Sequence, residues 1–96
     1  MGDEKELNGH KICEALSQPL RAGILQELVK AYPEKLSISE LQQRTSEPRM
    51  TVWFHTNKLR EANLVEQNGS RKGFRATARA LTIRFDGNGI HLEEKK

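Results

Sequence analysis

The strongest constraint on the fold of this 96-residue chain is a pair of helical segments joined by very few residues. The first segment begins at Ser37, where Glu40 follows at the spacing of a capping box: each side chain accepts a hydrogen bond from the other residue's backbone N–H. It is expected to end near Thr45, and Thr45 and Ser46 then offer caps for a longer helical run over residues 48–62. So short a linker forces the two helices to cross steeply.

Two further helices are expected before this pair. Apolar residues at three- and four-residue spacings predict a short helix over residues 5–16 and a second helix from Pro19 to about Ala31. The second helix should stop there because Tyr32 precedes Pro33, and proline disfavours helical geometry in the residue before it. Three to four helices therefore fill most of the first two thirds of the chain.

A β-hairpin is expected directly after the longest helical run. Residues 64–66 and 74–77 have the character of two strands, and Asn68, Gly69 and Gly73 mark a polar turn between them. Helices followed by such a hairpin predict an α+β, mostly helical fold, the winged helix-turn-helix, in which the hairpin is the wing. The chain is short enough to form a single domain.

The C-terminal extension, residues 78–96 of the single domain 1–96, admits two interpretations. Apolar residues alternate with polar ones on both sides of a glycine-rich turn at residues 86–89, which predicts a second β-hairpin. The competing interpretation is a helix over residues 78–85 that frays at the glycines. The alternating apolar residues are Leu81, Ile83, Phe85, Ile90 and Leu92.

Positive charge is concentrated in one part of the chain. The whole chain carries 16 Lys and Arg against 13 Asp and Glu, a net charge of +3. Residues 48–84 contain eight of the cations and only two of the acids, whereas the segments before and after carry net negative charge. A basic block within an otherwise acidic chain predicts a polyanionic partner, the alternative being a solvated charged surface.

Composition argues against several other classes of protein. No apolar run approaches the roughly 18 residues needed to span a bilayer. The acidic N-terminus lacks the apolar region of a secretory signal, so we expect a cytoplasmic protein with no membrane partner. The single cysteine, Cys13, excludes an intrachain disulfide and suits a reducing compartment.

Neither an enzyme nor a metal site is expected. The chain has no phosphate-binding glycine loop and no identifiable set of catalytic residues with a plausible pocket. A metal site needs three or four converging ligands, whereas His10 and Cys13 make only a pair and the tail offers only His91. We therefore predict no cofactor and find no evident small-molecule or metal effector; a redox switch at Cys13 is an alternative without a visible partner thiol.

The helix over residues 48–62 has two unlike faces on a helical wheel. The residues expected to face inward are Val52, Thr56, Leu59 and Asn63, with Pro48, His55 and Ala62 beside them. The residues expected to face outward are Met50, Phe54, Asn57 and Glu61, with Arg49, Thr51, Trp53 and Lys58 beside them. Two aromatic residues and a methionine thus lie on a face that a soluble monomer should keep polar, which indicates a partner.

Insertion of that face into the DNA major groove is the favoured interpretation. Arg49 suits guanine or a phosphate, Asn57 suits adenine, and the outward apolar groups suit thymine methyls. The expected base-contacting residues are Arg49, Met50, Thr51, Trp53, Phe54 and Asn57. The expected phosphate contacts are Lys58, the wing residues Arg71, Lys72 and Arg75, and the helix start at Ser37 and Ser39.

Three motifs resemble those of ArsR-type bacterial repressors. Residues 15–21 (ALSQPLR) are similar to the family's "AL-(A/S)-x-P-x-R" opening, and residues 36–41 (LSISEL) to its "L-S-x-x-E-L" helix. Residues 48–65 (PRMTVWFHTNKLREANLV) resemble its recognition segment, "P-x-S-T-(L/V)-S-F-H-L-x-x-L-R-x-A-G-L-V". The resemblance covers about residues 12–77, and it is the joint order and spacing of the motifs that makes it specific.

The resemblance implies a dimeric winged-helix repressor that binds operator DNA. It places the groove-facing positions on Arg49, Met50, Trp53, Phe54 and Asn57. Met50 and Trp53 stand where the family has small polar residues, which implies an unusual operator, and Thr56 replaces a core leucine. The family's C-terminal dimerisation helix is replaced by the predicted hairpin. The alternative function is a protein-interaction module that docks through Met50, Trp53 and Phe54.

Overall fold

The computed structural model describes residues 4–5, 9–67 and 73–96, which form helices followed by antiparallel hairpins. The elements in chain order are β1 (Glu4–Lys5), α1 (Gly9–Ala15), α2 (Pro19–Ala31), α3 (Ile38–Thr45), α4 (Arg49–Glu61), β2 (Val65–Glu66), β3 (Arg75–Ala76), β4 (Ala80–Asp86) and β5 (Gly89–Lys95). The predicted α+β class and winged helix-turn-helix architecture are confirmed. None of the described helices is long and apolar enough to cross a membrane.

The start of α3 follows the local sequence closely. The Glu40 N–H donates to the Ser37 hydroxyl oxygen at 3.1 Å, and the Ser37 N–H donates to the Glu40 carboxylate at 2.8 Å, so the predicted capping box is confirmed. Ser46 ends the helix in a left-handed conformation, with φ of 60°, and its N–H donates to the Gln42 carbonyl. The turn to α4 is therefore fixed mainly by residues next to it in sequence.

The start of α4 differs from the prediction. Thr45 and Ser46 do not cap it: the Thr45 hydroxyl donates to the Leu41 carbonyl at 2.7 Å, and Ser46 serves as the C-cap of α3. Pro48 is the N-cap residue of α4, and it makes no side-chain hydrogen bond to the first N–H groups of this helix. The first turn of α4 thus presents backbone donors without a side-chain cap.

The N-terminal segment is also corrected. The helix expected over residues 5–16 is α1, which begins only at Gly9. Glu4 and Lys5 form β1 instead and pair with Glu93 and Leu92 of β5. Pairing with a strand at the far end of the chain outweighs the weak helical pattern of this segment, since tertiary context routinely overrides local propensity.

The core lies where α2, α3 and α4 meet the hairpins. Its fully buried residues come from all three helices and include Ile24, Leu28, Leu41, Val52 and Leu59, each 0% exposed. The buried Thr56 satisfies its hydroxyl by donating to the Val52 carbonyl at 2.7 Å, which lets a polar residue occupy the core position.

Two residues predicted on or beside the inward face of α4 are exposed. Asn63 lies outside the helix, which ends at Glu61, and its φ of 64° turns the chain away. Pro48 precedes the helix and is also exposed. The helical wheel placed both incorrectly because neither residue belongs to the helix, whereas Ala62 and half-buried His55 lie on the inward side as expected.

The first hairpin is joined to the segment before α3. β2 and β3 pair antiparallel, Val65 opposite Ala76. Leu36 and Phe74 then exchange two backbone hydrogen bonds of 2.8 and 2.9 Å. Gly73 makes this possible: its φ is +129°, and a Cβ there would lie 3.3 Å from the Cβ of Lys35. The base of the wing is therefore fixed beside the start of α3.

The C-terminal extension forms the second hairpin, and the competing helix is excluded. β4 and β5 pair antiparallel from Ala80 opposite Lys95 to Asp86 opposite Gly89. Together with β1 they form a sheet in the order β1-β5-β4. Leu92 joins the main core, while Phe85 near the turn is 67% exposed.

Candidate nucleic-acid interface

Helix α4 presents the two faces that the sequence predicts. Val52, Thr56 and Leu59 are fully buried. On the other side Met50 is 73% exposed, Trp53 50% and Phe54 49%, so three large apolar side chains face solvent. Since soluble proteins rarely expose such a cluster without a use for it, this face is the candidate binding surface. We call it the outer face of α4; it also includes exposed Arg49 and half-buried Thr51, Asn57 and Lys58.

Arg49 connects the two helices of the motif. Its guanidinium donates to the Ser39 hydroxyl oxygen at 3.2 Å, across the turn between α3 and α4. Both side chains are exposed, so the contact lies at the surface. The predicted base-contacting residue Arg49 and the predicted phosphate-contacting residue Ser39 are therefore adjacent.

Ser37 has a different role from the one predicted from sequence. Its N–H and its hydroxyl are both used in the capping box with Glu40. Bonds from Ser37 lower the pKa of the Glu40 carboxyl, which keeps a negative charge at the start of α3. Ser37 is thus committed to the helix cap, and a phosphate bound there would be repelled by the Glu40 carboxylate. Of the two predicted phosphate contacts, Ser39 is therefore the better placed.

Asn57 is held by neighbours on its own helix. Its amide nitrogen donates to the Trp53 carbonyl at 2.9 Å, and its amide oxygen accepts from Nε and Nη2 of Arg60 at 3.1 and 2.8 Å. These bonds fix the orientation of the side chain beside Trp53. Contact with a base requires Asn57 to exchange these bonds for bonds to the base edge.

Lys58 packs on the apolar part of the same face. Its ammonium lies 5.4 Å from the centre of the Phe54 ring, a cation–π distance, and 3.7 Å from a Glu61 carboxylate oxygen. The charge therefore stays near the surface, next to an aromatic ring, where it is suited to contact a phosphate.

The cationic residues of the wing are only partly described. Arg71 and Lys72 lie outside the described residues. Arg75 is placed opposite Glu66 in the β2–β3 register and donates to its carboxylate, with a distance of 2.8 Å from Nε. Such a cross-strand pair stabilises the base of the wing, so the charge of Arg75 is already balanced within the protein.

The prediction of site residues missed a buried link behind the outer face. Arg21 of α2 is only 6% exposed, and its Nε donates to Nδ1 of His55 at 3.0 Å. Burial, and next the charge of Arg21, lower the pKa of His55, while Glu47 acts in the opposite direction. A sequence signal exists: Arg21 shares a helical face with Ile24 and Leu28, both fully buried.

Within the part of the chain that the structure describes, no group of three or more His, Cys, Asp or Glu is arranged to hold a metal ion. Cys13 is a free, exposed thiol. His91 in the second hairpin contacts Asp86 at 3.1 Å.

Two helices joined by a short turn, a wing fixed at its base and an exposed apolar face on the second helix define a helix-turn-helix protein of the winged type. Residues 16–68 match the family model for a helix-turn-helix domain, which covers more than half of the chain. The chain belongs to this helix-turn-helix family, which includes ArsR-type regulators. Membership supports DNA binding and a role in transcription regulation. No match to a curated protein was found.

Proposed function

We propose that this protein is a sequence-specific, double-stranded-DNA-binding transcriptional regulator of the ArsR type, that it is a repressor, and that it acts as a homodimer in the cytoplasm. The observation that carries the proposal is the outer face of α4, where Met50, Trp53 and Phe54 are half or more exposed while the opposite face is fully buried. The major groove of DNA is wide enough to admit one α-helix with its side chains.

Base contacts are assigned to every residue of the outer face except Lys58. Arg49, released from Ser39, donates to guanine, and Asn57 exchanges its intrahelical bonds for the adenine edge. Apolar contact with thymine methyl groups is assigned to Met50, Thr51, Trp53 and Phe54. This set favours operators with thymines at successive positions, because apolar side chains gain most where a methyl group replaces water.

Phosphate contacts hold the protein in register but carry no sequence information. We assign them to Lys58 and Ser39 on the helices and to Arg71 and Lys72 in the wing. Arg75 is assigned a supporting role, because its charge is paired with Glu66. Ser37 contributes indirectly by fixing the start of α3.

A homodimer is proposed from the small size of the chain and from its resemblance to ArsR-type repressors. One short recognition helix reads only a few base pairs, so two copies on a symmetric operator supply the missing discrimination. A two-fold symmetric protein then requires half-sites separated by about one helical turn of DNA.

The second candidate function is docking on another protein, and the same exposed apolar cluster favours it. Aromatic residues and methionine are typical of the centres of protein interfaces. The two candidates differ in their electrostatics: binding to DNA releases counterions and weakens steeply with salt, whereas an apolar docking site responds little.

The test is selection of binding sites from random duplexes at near-physiological salt, followed by affinity measurements over a salt series. We expect enrichment of a symmetric site and a steep loss of affinity between low and moderate salt. Lys30→Ala is the matched control, because Lys30 lies on α2 beside Glu27 rather than in the proposed interface. Absence of any enriched sequence, together with salt-independent binding, would contradict the proposal.

A further inference from the structure

Arg21 forms a buried polar link between three helices. Its Nε donates to Nδ1 of His55 in α4 at 3.0 Å, and its Nη1 donates to the carbonyl of Glu14 in α1 at 3.2 Å. The guanidinium is thus satisfied by a ring nitrogen and a carbonyl rather than by a carboxylate. With only 6% of Arg21 exposed, water cannot readily replace these partners.

The bond to Arg21 specifies the protonation state of His55. Arginine has donors only, so Nδ1 must carry a lone pair and the proton of the neutral ring must lie on Nε2. A second proton on the ring would remove the acceptor and place two cations in contact. Burial and the charge of Arg21 both lower the pKa of His55, in agreement with the geometry.

The His55 ring in turn contacts the outer face of α4. It packs against Phe54 edge to face, with ring centres 5.4 Å apart and an interplanar angle of 71°. The Lys58 ammonium lies 5.4 Å from the centre of the same Phe54 ring. A continuous set of contacts therefore runs from buried Arg21 through His55 to Phe54 and Lys58.

We propose that Arg21 is a positioning residue for DNA recognition: its hydrogen bond to the neutral His55 ring orients that ring against Phe54, and so fixes Phe54 and Lys58 on the outer face of α4. The inference rests on the proposed function, since it concerns how the DNA-contacting side chains are held. Arg21 itself is too buried to touch a duplex.

The other charged groups near His55 leave Arg21 as its principal partner. Glu47, in the turn before α4, faces His55 and favours its protonation. Glu14 of α1 and Lys58 and Glu61 of α4 line the small cleft beside Arg21. On the remaining elements packed against α4, Arg44 of α3 pairs with Glu27, Glu40 of α3 bonds Ser37, and Glu66 of β2 pairs with Arg75.

The test compares three variants on two duplexes, the selected operator and a random sequence of equal length. His55→Phe keeps a ring beside Phe54 but removes the acceptor, and Arg21→Lys keeps the charge but loses the forked donor geometry. We expect each to reduce the ratio of operator to random affinity by about tenfold, because a displaced Phe54 loses its contact with the operator bases and tenfold is near the low end of what one base contact contributes to discrimination. The double variant should lose no more than either single variant, because both remove the same bond.

His55→Asn supplies the control that does not titrate. The asparagine amide oxygen takes roughly the place of Nδ1. It can therefore accept a hydrogen bond from Arg21, but it cannot gain a proton at the pH values at which histidine titrates. We expect the operator-to-random ratio of the unmodified protein to fall only when the pH is lowered below about 6.5, the ordinary pKa of histidine, because burial and Arg21 lower the pKa of His55. The ratio for His55→Asn should stay flat, because asparagine does not titrate. Taking a ratio of the two affinities cancels the general attraction of DNA for a protein that becomes more cationic at low pH.

Nitrogen NMR of the unmodified protein, without DNA, provides a readout independent of any variant. We expect His55 to show an unprotonated Nδ1 at neutral pH and a pKa below its ordinary value. A proton on Nδ1, additive losses in the double variant, or an operator-to-random ratio that stays flat through the pH at which NMR shows His55 gaining its proton would overturn the inference while leaving DNA binding intact. Failure of the unmodified protein to prefer any duplex would overturn the proposed function and this inference together.

Discussion

The two faces of α4 carry similar apolar content in opposite environments. On the inner face Val52 and Leu59 are 0% exposed, whereas on the outer face Met50 and Trp53 are 73% and 50% exposed. The inner face is explained by the core it closes. The outer face gains no comparable burial in the free protein, so its apolar residues must be understood through a partner.

Substitution on the inner face should produce the largest effect on folding. Leu59→Ala is expected to lower the free energy of unfolding by about 2–5 kcal/mol, because it removes fully buried methyl groups and leaves a cavity. Met50→Ala, at the exposed position, should change it by less than about 0.5 kcal/mol. Urea denaturation followed by circular dichroism measures both. Equal losses would show that Met50 packs against the protein in solution and would remove the contrast between the faces.

Substitution of Asn57 should separate base recognition from general affinity. Asn57→Ala is expected to weaken binding to the selected operator by about 1–3 kcal/mol and to leave binding to random duplex nearly unchanged. Gln26→Ala, at an exposed position on α2, is the matched control. Fluorescence anisotropy with labelled duplexes measures both affinities. Equal weakening on the two duplexes would remove Asn57 from the base-contacting set.

The smallest predicted effect concerns the wing. Lys72→Ala should weaken binding to every duplex alike and reduce the slope of log affinity against log salt by about 0.9, the value for one phosphate contact. The physical reason is that a phosphate contact releases a counterion whatever the base sequence. Lys30→Ala should leave the slope unchanged. A loss confined to the operator would instead assign Lys72 to base recognition.

The sequence predicted those features that depend on near neighbours. The capping box at Ser37, the end of α2 before Tyr32 and the two faces of α4 all follow from spacings of a few residues. The alternation around residues 86–89 likewise predicted the β4–β5 hairpin, because the two strands are joined by a short turn. Exposure of Trp53 and Phe54 was predicted from the helical wheel alone.

Features that depend on distant pairing could not be predicted in the same way. Lys5 pairs with Leu92, and nothing in the local pattern around Lys5 identifies that partner. The bond from Arg21 to His55 joins residues 34 apart, so the spacing that places Arg21 on the buried face of α2 does not identify His55 as its partner. The pairing of Arg75 with Glu66 was missed because it depends on the register of the wing strands.

Trp53 offers the most direct measurement of the central claim, which is that the outer face of α4 is the surface that meets DNA. It is the single tryptophan of the chain and is half exposed in the free protein, so its fluorescence reports on this face without any substitution. Quenching of Trp53 by acrylamide should be measured with and without saturating operator duplex, with binding followed independently by anisotropy. The account predicts that bound DNA strongly protects Trp53 from quenching. Saturated binding with unchanged quenching would contradict it.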